Sequence, residues 1–448
     1  MSAVHDWVIK TRSLIDELKR PKKILVFVNP YGGRRKAPNI YKRKVLPILQ
    51  LAGCEVDCIL TQRANHARDM LENVDVPIKV FDAIVCVGGD GMFAELLNGI
   101  INRAQLEANQ NTSLQNVPER PTTTIGVIPA GSTDAVAFSS CGNNSPVTAT
   151  VHIVLGNRVN IDVCAIHSVR EEGKLIRYAT SFLGYGYFGD TLKASEKNRW
   201  MGPRRYDYAG FKKILGHKLY SGELRLHVST IDGSPKDSDV CTSNCPMCAK
   251  SAARTKYAKE ITSRPTIEDE GTACVQIRGR FLGINAATMT CRCGMSKDGI
   301  SPAAHLGNGC TDLIVVTKCS RANYLRYMMR TGFMPDSPFD LNFVDVYRVR
   351  EFEFTPIVNP ANTKQSYQLS KASVWNCDGE IINEAAIHVK VHCQLVTVFG
   401  NGRENRNPDK ESMKSKRKIN NFNATDSDPR KKAEQNCVSN RAEIYVKH

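Results

Sequence analysis

The chain has 448 residues, well beyond the roughly 150 that serve as a prior for one domain, so at least two domains are expected. Its 42% hydrophobic and 24% charged content is that of an ordinary globular protein with a sizeable core. Basic side chains number 61 against 45 acidic, a net charge of +16. That field suits nucleic acid, an anionic membrane surface or a polyphosphate substrate, and composition does not choose among them.

The N-terminal "MSAVHDWVIKTRSLIDELKRPKK" has scattered charges and no apolar core of signal-peptide length, so residues 1–21 read as a helical lead-in. No later window approaches the ~18 apolar residues of a membrane span. The expectation is a cytoplasmic chain with peripheral membrane contact, its 16 cysteines mostly reduced unless their spacing says metal.

From Lys22 to about Gly142 strand-like and helix-like runs alternate: "ILVFVN", "YKRKVLPILQLAG", "CEVDCILT", "NHARDMLENV", "AIVCVGGDG" and "TIGVIPAG". This pattern predicts an α/β fold over 22–150, a parallel sheet with right-handed crossovers. Ligands in such sheets sit beyond the carboxyl ends of the strands. The turns "NPYGG", "TQRANH", "GGDG" and "PAGSTD" all fall there, so one crevice can collect them.

After Val151 short runs such as "YATSFLGYG", "GELRLHVS", "CVQIRGRFLGINA", "DLIVVTK", "YRVREFEFTP" and "HVKVHCQLVTVFG" predict a mostly antiparallel, β-rich domain over 151–400. Two polar interruptions, about 234–272 and 357–373, read as surface insertions or disordered segments. The basic tail 401–448 lacks apolar periodicity and is expected to be unfolded.

"CVGGDGMFAELLNG", Cys86 to Gly99, is the most informative stretch. A buried run meets Gly88, Gly89, Asp90 and Gly91, and a helix follows. Bare glycines let backbone amides approach a ligand, and the helix start favours an anion, so the turn suits phosphate, with Asp90 and Glu95 beside it. "NPYGG", Asn29 to Gly33, is by itself a turn more often than a site. Ser132, Thr133 and Asp134 in "PAGSTD" stand at a helix start, where capping is the expected use. "GYGYFG", Gly184 to Gly189, matches G-x-G-x-x-G outside the first strand-turn-helix unit and is weak evidence for a dinucleotide site. Arg199, Arg204 and Arg205 follow it and suit phosphate oxygens. Asp378 and Glu380 in "WNCDGE" flank Gly379, where a hairpin turn is the competing reading.

In this order, "VFVNPYGG", "CVGGDGMFAELLNG", "IPAGSTD", "SFLGYGYFGD", "SEKNRW", "SPAAHLGNG" and "WNCDGE" resemble the lipid kinases of the diacylglycerol kinase catalytic superfamily, and within it the ceramide kinases, over about Lys22 to Gly400. The resemblance implies ATP-dependent phosphorylation of the primary hydroxyl of ceramide, with Mg2+ or Ca2+ beside the nucleotide. It carries the general base onto Asp90, in a turn whose Gly88, Gly89 and Gly91 also meet the lipid head group, and a head-group acid onto Asp190. Nucleotide contacts fall on Asn29, Pro30, Tyr31, Gly32 and Gly33, on Thr61, Gln62, Arg63, Ala64 and Asn65, on Glu95 and Ser132, on Arg199 and Arg205, and on Asp378, Gly379 and Glu380. Asp90 is either the base or an orienter of the metal.

The resemblance also implies an anionic membrane as partner and no nucleic acid. Full-length ceramide kinases carry an N-terminal pleckstrin-homology domain that barely twenty residues cannot supply here. Recruitment is therefore expected from elsewhere, with Lys414, Lys416, Arg417, Lys418 and Arg430 to Lys432 of the tail as one source. Rival readings are a sphingosine or diacylglycerol kinase, a soluble nucleotide kinase with the same G-G-D-G turn, and a silent lipid-binding scaffold.

Finally, Cys241, Cys245 and Cys248 in "CTSNCPMCAK" have the spacing to converge on one ion, with a fourth ligand from Cys291 or Cys293. Ceramide kinases have a cysteine cluster at the corresponding place. A structural zinc is the expectation.

Overall fold

The computed structural model describes residues 2–17, 20–33, 35–202, 204–229, 231–237, 239–261, 272–294, 296–334, 336–357, 372–402 and 443–447. The first part alternates as its sequence requires. After α1 (Ser2–Glu17) come β1 (Lys23–Val28), α2 (Ala37–Ile40), a π-helical turn at Tyr41–Val45 and α3 (Leu46–Leu51). Then follow β2 (Glu55–Leu60), α4 (His66–Glu72), β3 (Ala83–Gly88), α5 (Asp90–Glu107), β4 (Thr124–Pro129), α6 (Ala135–Cys141) and α7 (Pro146–Leu155).

The four strands pair in parallel in the order β4-β3-β1-β2. All six residues of both β3 and β4 are buried, as expected of strands covered on both faces, whereas β2 is the exposed edge. Helix ends follow local chemistry: α7 starts at Ser145, whose hydroxyl accepts the Thr148 amide, and ends at Gly156 with φ +70°. Gly99 lets α5 cross α4 closely, since a Cβ there would lie 2.8 Å from Leu71 Cβ.

The second part contains β5 (Arg158–Ser168), β6 (Leu175–Ala179), β7 (Phe182–Gly186), α8 (Tyr187–Glu196), α9 (Arg204–Gly216), β8 (Tyr220–Ser229), α10 (Pro246–Ile261) and β9 (Thr272–Ala287). It continues with β10 (Thr311–Thr317), α11 (Arg321–Gly332), β11 (Val344–Pro356), β12 (Trp375–Cys377), β13 (Glu380–Ile382), β14 (Ile387–Phe399) and β15 (Glu443–Lys447). Its strands pair antiparallel, around a core that includes Tyr185, Phe281, Phe352, Phe354 and Trp375. β14 joins the two parts: it pairs antiparallel with β11 and β5 and meets β4 in parallel at Val398 and Ile125. The α/β and β-rich expectations therefore hold, linked by one continuous sheet.

Three expectations change. The segment around 234–272 is no mere surface excursion over its described part: Cys241, Cys245 and Ser251 are buried, and Arg254 and Arg350 both pair with fully buried Asp232. An unpaired charge there would be costly, so the ion pairs hold this stretch against the sheet. The tail is not wholly without structure, because β15 pairs with β9 from Cys274 to Arg278. Residues 403–442, with every tail lysine and arginine named above, lie outside the described residues, as do 262–271 and 358–371. Finally, "GYGYFG" serves packing: a Cβ on Gly186 would lie 2.5 Å from the Leu282 carbonyl oxygen, and one on Gly189 1.9 Å from that of Val374. These glycines seat α8 against β9 and the approach to β12.

Candidate active site

The parallel order brings the four expected turns side by side. The Asn29 amide donates to Val87 O at 3.1 Å, the Thr61 amide to Val28 O at 3.0 Å and the Ala130 amide to Gly88 O at 2.9 Å. Within the first turn Asn29 Oδ1 accepts the amides of Tyr31 and Gly32 at 2.9 and 3.0 Å, which folds Pro30 to Gly33 back on themselves. Gly33, at φ +55°, lies against Ala130 and Gly131. The second turn ends at Asn65, left-handed at φ +60°, where α4 begins; Arg63 pairs with Asp69 at 2.6 Å, and the Gln62 amide donates to His66 Nδ1.

Asp90 heads α5. Its two carboxylate oxygens accept the amides of Ala135 and Val136, at 3.1 and 3.0 Å, the first two residues of α6. The cap expected from Ser132, Thr133 or Asp134 is therefore supplied from across the crevice by Asp90. Ser132 and Thr133 are left exposed, and Asp134 turns inward to accept the Gly131 amide at 2.8 Å. Burial pushes the Asp90 carboxyl upward, against the pull of the two α6 amides and with the negative charge of Asp378 adding to the rise. Asp134 is pushed up to about 7, by burial first and then by Asp90. Two acids thus share one pocket, and sequence reading passed over the second because its motif looked like an ordinary cap.

Glu95 stands one turn along α5 and its Oε2 accepts the Ala67 amide of α4 at 3.3 Å. Burial raises its carboxyl, moderated by amides of Asn65 and Ala67. A cleft of about 860 Å³ opens beside it, lined among others by Asn65, Arg68, Glu95, Arg177 and Glu380. The hairpin reading of "WNCDGE" is correct: Asp378 and Gly379, at φ +48° and +88°, form the two-residue turn between β12 and β13. Asp378 is buried, and its carboxylate accepts the amides of Thr180, Ser181 and Phe182 and the Ser181 hydroxyl. It thereby fixes the β6–β7 connection. Glu380 is 43% exposed and ion-paired with Arg177, a partner that no motif announced.

Asp190 and Arg205 sit elsewhere. Asp190, on α8, accepts the hydroxyls of Tyr220 and Ser373 and lies 3.9 Å from Lys213. Arg205, on α9, pairs with Glu196 at 3.3 Å and stacks on Tyr206. Arg199 lies in a short 3-10 turn, Arg199–Met201. Among the described contacts none joins Asp190 or Arg205 to the turns after β1, β3 and β4.

A separate cluster gathers Cys241, Cys245, Cys248 and His305, whose ligand atoms all lie within 4.8 Å of one another. Cys241 Sγ is 3.7 Å from Cys248 Sγ, and Cys245 Sγ is 3.2 Å from His305 Nδ1. Hydrogen bonds from Cys241 and Cys248 push the Cys245 thiol well down, which favours a thiolate there. The fourth group is His305, not Cys291 or Cys293. Cys291 is buried with its Sγ on Ser181 O at 3.1 Å, and Cys293 forms a bridge with Ser296. The histidine lies in "SPAAHLGNG", a stretch fastened by buried Asp162, which accepts the Gly309 and Gln394 amides. A histidine sixty residues from the cysteines gave no spacing to read.

Comparison with known proteins gives a consistent picture. Residues 23–166 match the family model described as diacylglycerol kinase catalytic domain, and residues 181–414 match that of the ceramide kinase C-terminal domain. Human ceramide kinase is 40% identical over 91% of this chain and 79% of its own length, and the Arabidopsis thaliana ceramide kinase is 30% identical over 88% and 75%. A solved Bacillus anthracis chain assigned as a diacylglycerol kinase shares the fold, with a TM-score of 0.53 at 15% identity over 85% of this chain and 98% of that one.

Proposed function

The chain belongs to the ceramide kinase family, an ATP-dependent lipid kinase family, and we propose that it transfers the γ-phosphate of ATP to the primary hydroxyl of ceramide with Asp90 as the proton acceptor. The observation that carries this reading is the Asp90 carboxylate at the end of β3, held by the first amides of α6 in surroundings that raise its pKa. A carboxylate so raised is a stronger base than a free one while keeping its place. As the bond from the lipid oxygen to phosphorus forms, the hydroxyl proton passes to Asp90 and ADP leaves.

The turns Asn29–Gly33 and Thr61–Asn65, with Glu95, Ser132 and Glu380, supply the nucleotide contacts in this reading. Backbone amides at the glycine turns suit the phosphates. The carboxylates of Glu95 and of Glu380, the latter on giving up Arg177, line the cleft and would hold a Mg2+ ion, which would supply charge neutralisation for the triphosphate. Asp378 serves mainly by fixing the backbone, because its oxygens are already occupied. Arg199 and Arg205 are the phosphate-binding arginines of this reading, Arg205 by exchanging Glu196 for the phosphates. Asp190, held by Tyr220 and Ser373, remains the head-group acid of the proposal.

Cys241, Cys245, Cys248 and His305 fit a structural zinc: three sulfurs and one imidazole are a common tetrahedral donor set. In this reading the chain meets the cytoplasmic face of a membrane peripherally; no described helix is long and apolar enough to cross a bilayer. Radiolabelled phosphate transfer from ATP to ceramide, sphingosine, diacylglycerol and monoacylglycerol in micelles tests the reading. Ceramide is expected to be the preferred acceptor; preference for another lipid would reassign the substrate, and transfer to none would reject the activity.

A further inference from the structure

Two neighbouring helices hold apolar and basic groups on the outside of the β-rich part. On α9 the residues Tyr208, Phe211 and Leu215 recur at helical spacing and are all exposed, Phe211 by 62%. Trp200, just before α9, is 84% exposed. On α11 Leu325 and Met329 continue to Phe333 at its end, 81% exposed. A folded protein does not need these side chains in water: α9 is anchored by its other face, where Ala209 and Gly210 are buried, and α11 by Tyr324 and Tyr327.

The two helices belong to one layer. A Cβ on Gly210 would lie 2.7 Å from Tyr187 Oη, and the ring of Tyr187 meets that of Tyr324 edge-on at 5.3 Å. His217, just after α9, reaches the Cys319 carbonyl just before α11 at 2.7 Å. Two exposed apolar stripes therefore lie on adjacent, firmly seated helices.

Charge decides what covers them. Residues 197–218 and 321–332 contain ten Lys and Arg and a single acid, Asp207. These 34 residues carry +9 of the chain's net +16. Bases interleaved with exposed Trp, Phe, Leu and Met are the composition of helices that lie in a bilayer interface, with rings among the acyl chains and cations at anionic headgroups. A second copy of the same surface would instead bring like charges together, which is unfavourable.

We propose that α9, α11 and Trp200 form the surface that docks this chain on anionic membranes. The inference deepens the lipid-kinase reading by naming the face through which the enzyme meets a bilayer-resident substrate. It requires no contribution from residues 403–442.

The test uses the full chain and vesicles of phosphatidylserine with phosphatidylcholine, against phosphatidylcholine alone. Wild-type protein should sediment with the mixed vesicles and release as salt rises. The pair Phe211→Ser with Phe333→Ser, and separately Lys212→Glu with Arg326→Glu, should each bind about tenfold more weakly or worse. Melting temperature and transfer to lipid in detergent micelles should be unchanged, which shows that the variants fold. Wild-type vesicle binding by both variants would overturn the proposal, as would a wild-type dimer that the phenylalanine variant converts to monomer without loss of vesicle binding. Vesicle binding that responds as stated, with no lipid phosphorylated in micelles, would reject the kinase reading and leave the docking surface standing.

Discussion

Gly89 and Gly131 meet backbone to backbone: a Cβ on Gly131 would fall 2.5 Å from Gly89 Cα and 2.7 Å from Asp134 Oδ1. The two turns that hold Asp90 and Asp134 thus interlock through the absence of side chains. Gly131→Ala must push them apart. It should cost about 1–3 kcal/mol of stability and reduce kcat more than the loss of folded protein explains, because Asp90 is held by amides just beyond Gly131. Urea unfolding and steady-state kinetics check both; wild-type kcat in the folded variant would mean that the interlock does not set the site.

The acidic pair predicts a pH profile. Only ionised Asp90 accepts a proton, and burial raises its pKa. The acid limb of kcat/KM should therefore lie above the ordinary carboxylate value of about 4. Asp90→Asn removes the charge that, after burial, raises Asp134, so the Asp134 pKa followed by NMR titration should move down. Asp134 itself titrates at about 7 in the folded chain, above its unfolded value. Its contribution to stability is then full below the unfolded pKa and fades as pH rises through about 7. An Asp134 pKa unmoved, or moved upward, by Asp90→Asn contradicts the coupling.

Removal of Asp378 should be felt as a loss of fold before a loss of chemistry. Its carboxylate accepts three amides and a hydroxyl at a buried turn. Asp378→Ala leaves these donors without an acceptor, at a cost of about 3 kcal/mol or more. Equilibrium unfolding gives the number directly, and a change below about 1 kcal/mol would show that water replaces the carboxylate at little expense.

The cysteine cluster gives a metal prediction with an internal control. Protein purified without chelator should hold close to one zinc per chain, lost from Cys245→Ser and weakened in His305→Ala, with lower melting temperatures for both. Cys291→Ser should leave zinc content unchanged, since Cys291 Sγ bonds to Ser181 O. Loss of zinc from Cys291→Ser with retention in His305→Ala would restore the ligand set suggested by spacing alone.

What was legible in the sequence was what periodicity and turns encode. The parallel strands, their glycine turns and the antiparallel runs were readable because each is fixed by residues near one another in the chain. The partners of those turns were not. Asp90 caps a helix that begins 45 residues later, Glu380 pairs with Arg177 some 203 residues away, and Cys245 meets His305 across 60. Such pairings depend on sheet order, in particular on β14 running between β11 and β4, and no local pattern states that order. The docking face was equally hidden: a charge run reads as a solvated surface until burial shows which apolar residues remain outside.

The measurement closest to the central claim is single-turnover phosphate transfer to ceramide by Asp90→Asn, with ATP binding and unfolding measured on the same sample. The amide keeps one oxygen acceptor for the α6 amides, so the variant should fold with a loss of about 1–2 kcal/mol and bind ATP with near wild-type affinity. Transfer should fall by about two to four orders of magnitude, the range for loss of a general base. Transfer at the wild-type rate by folded, ATP-bound Asp90→Asn would contradict the assignment of Asp90 as the proton acceptor.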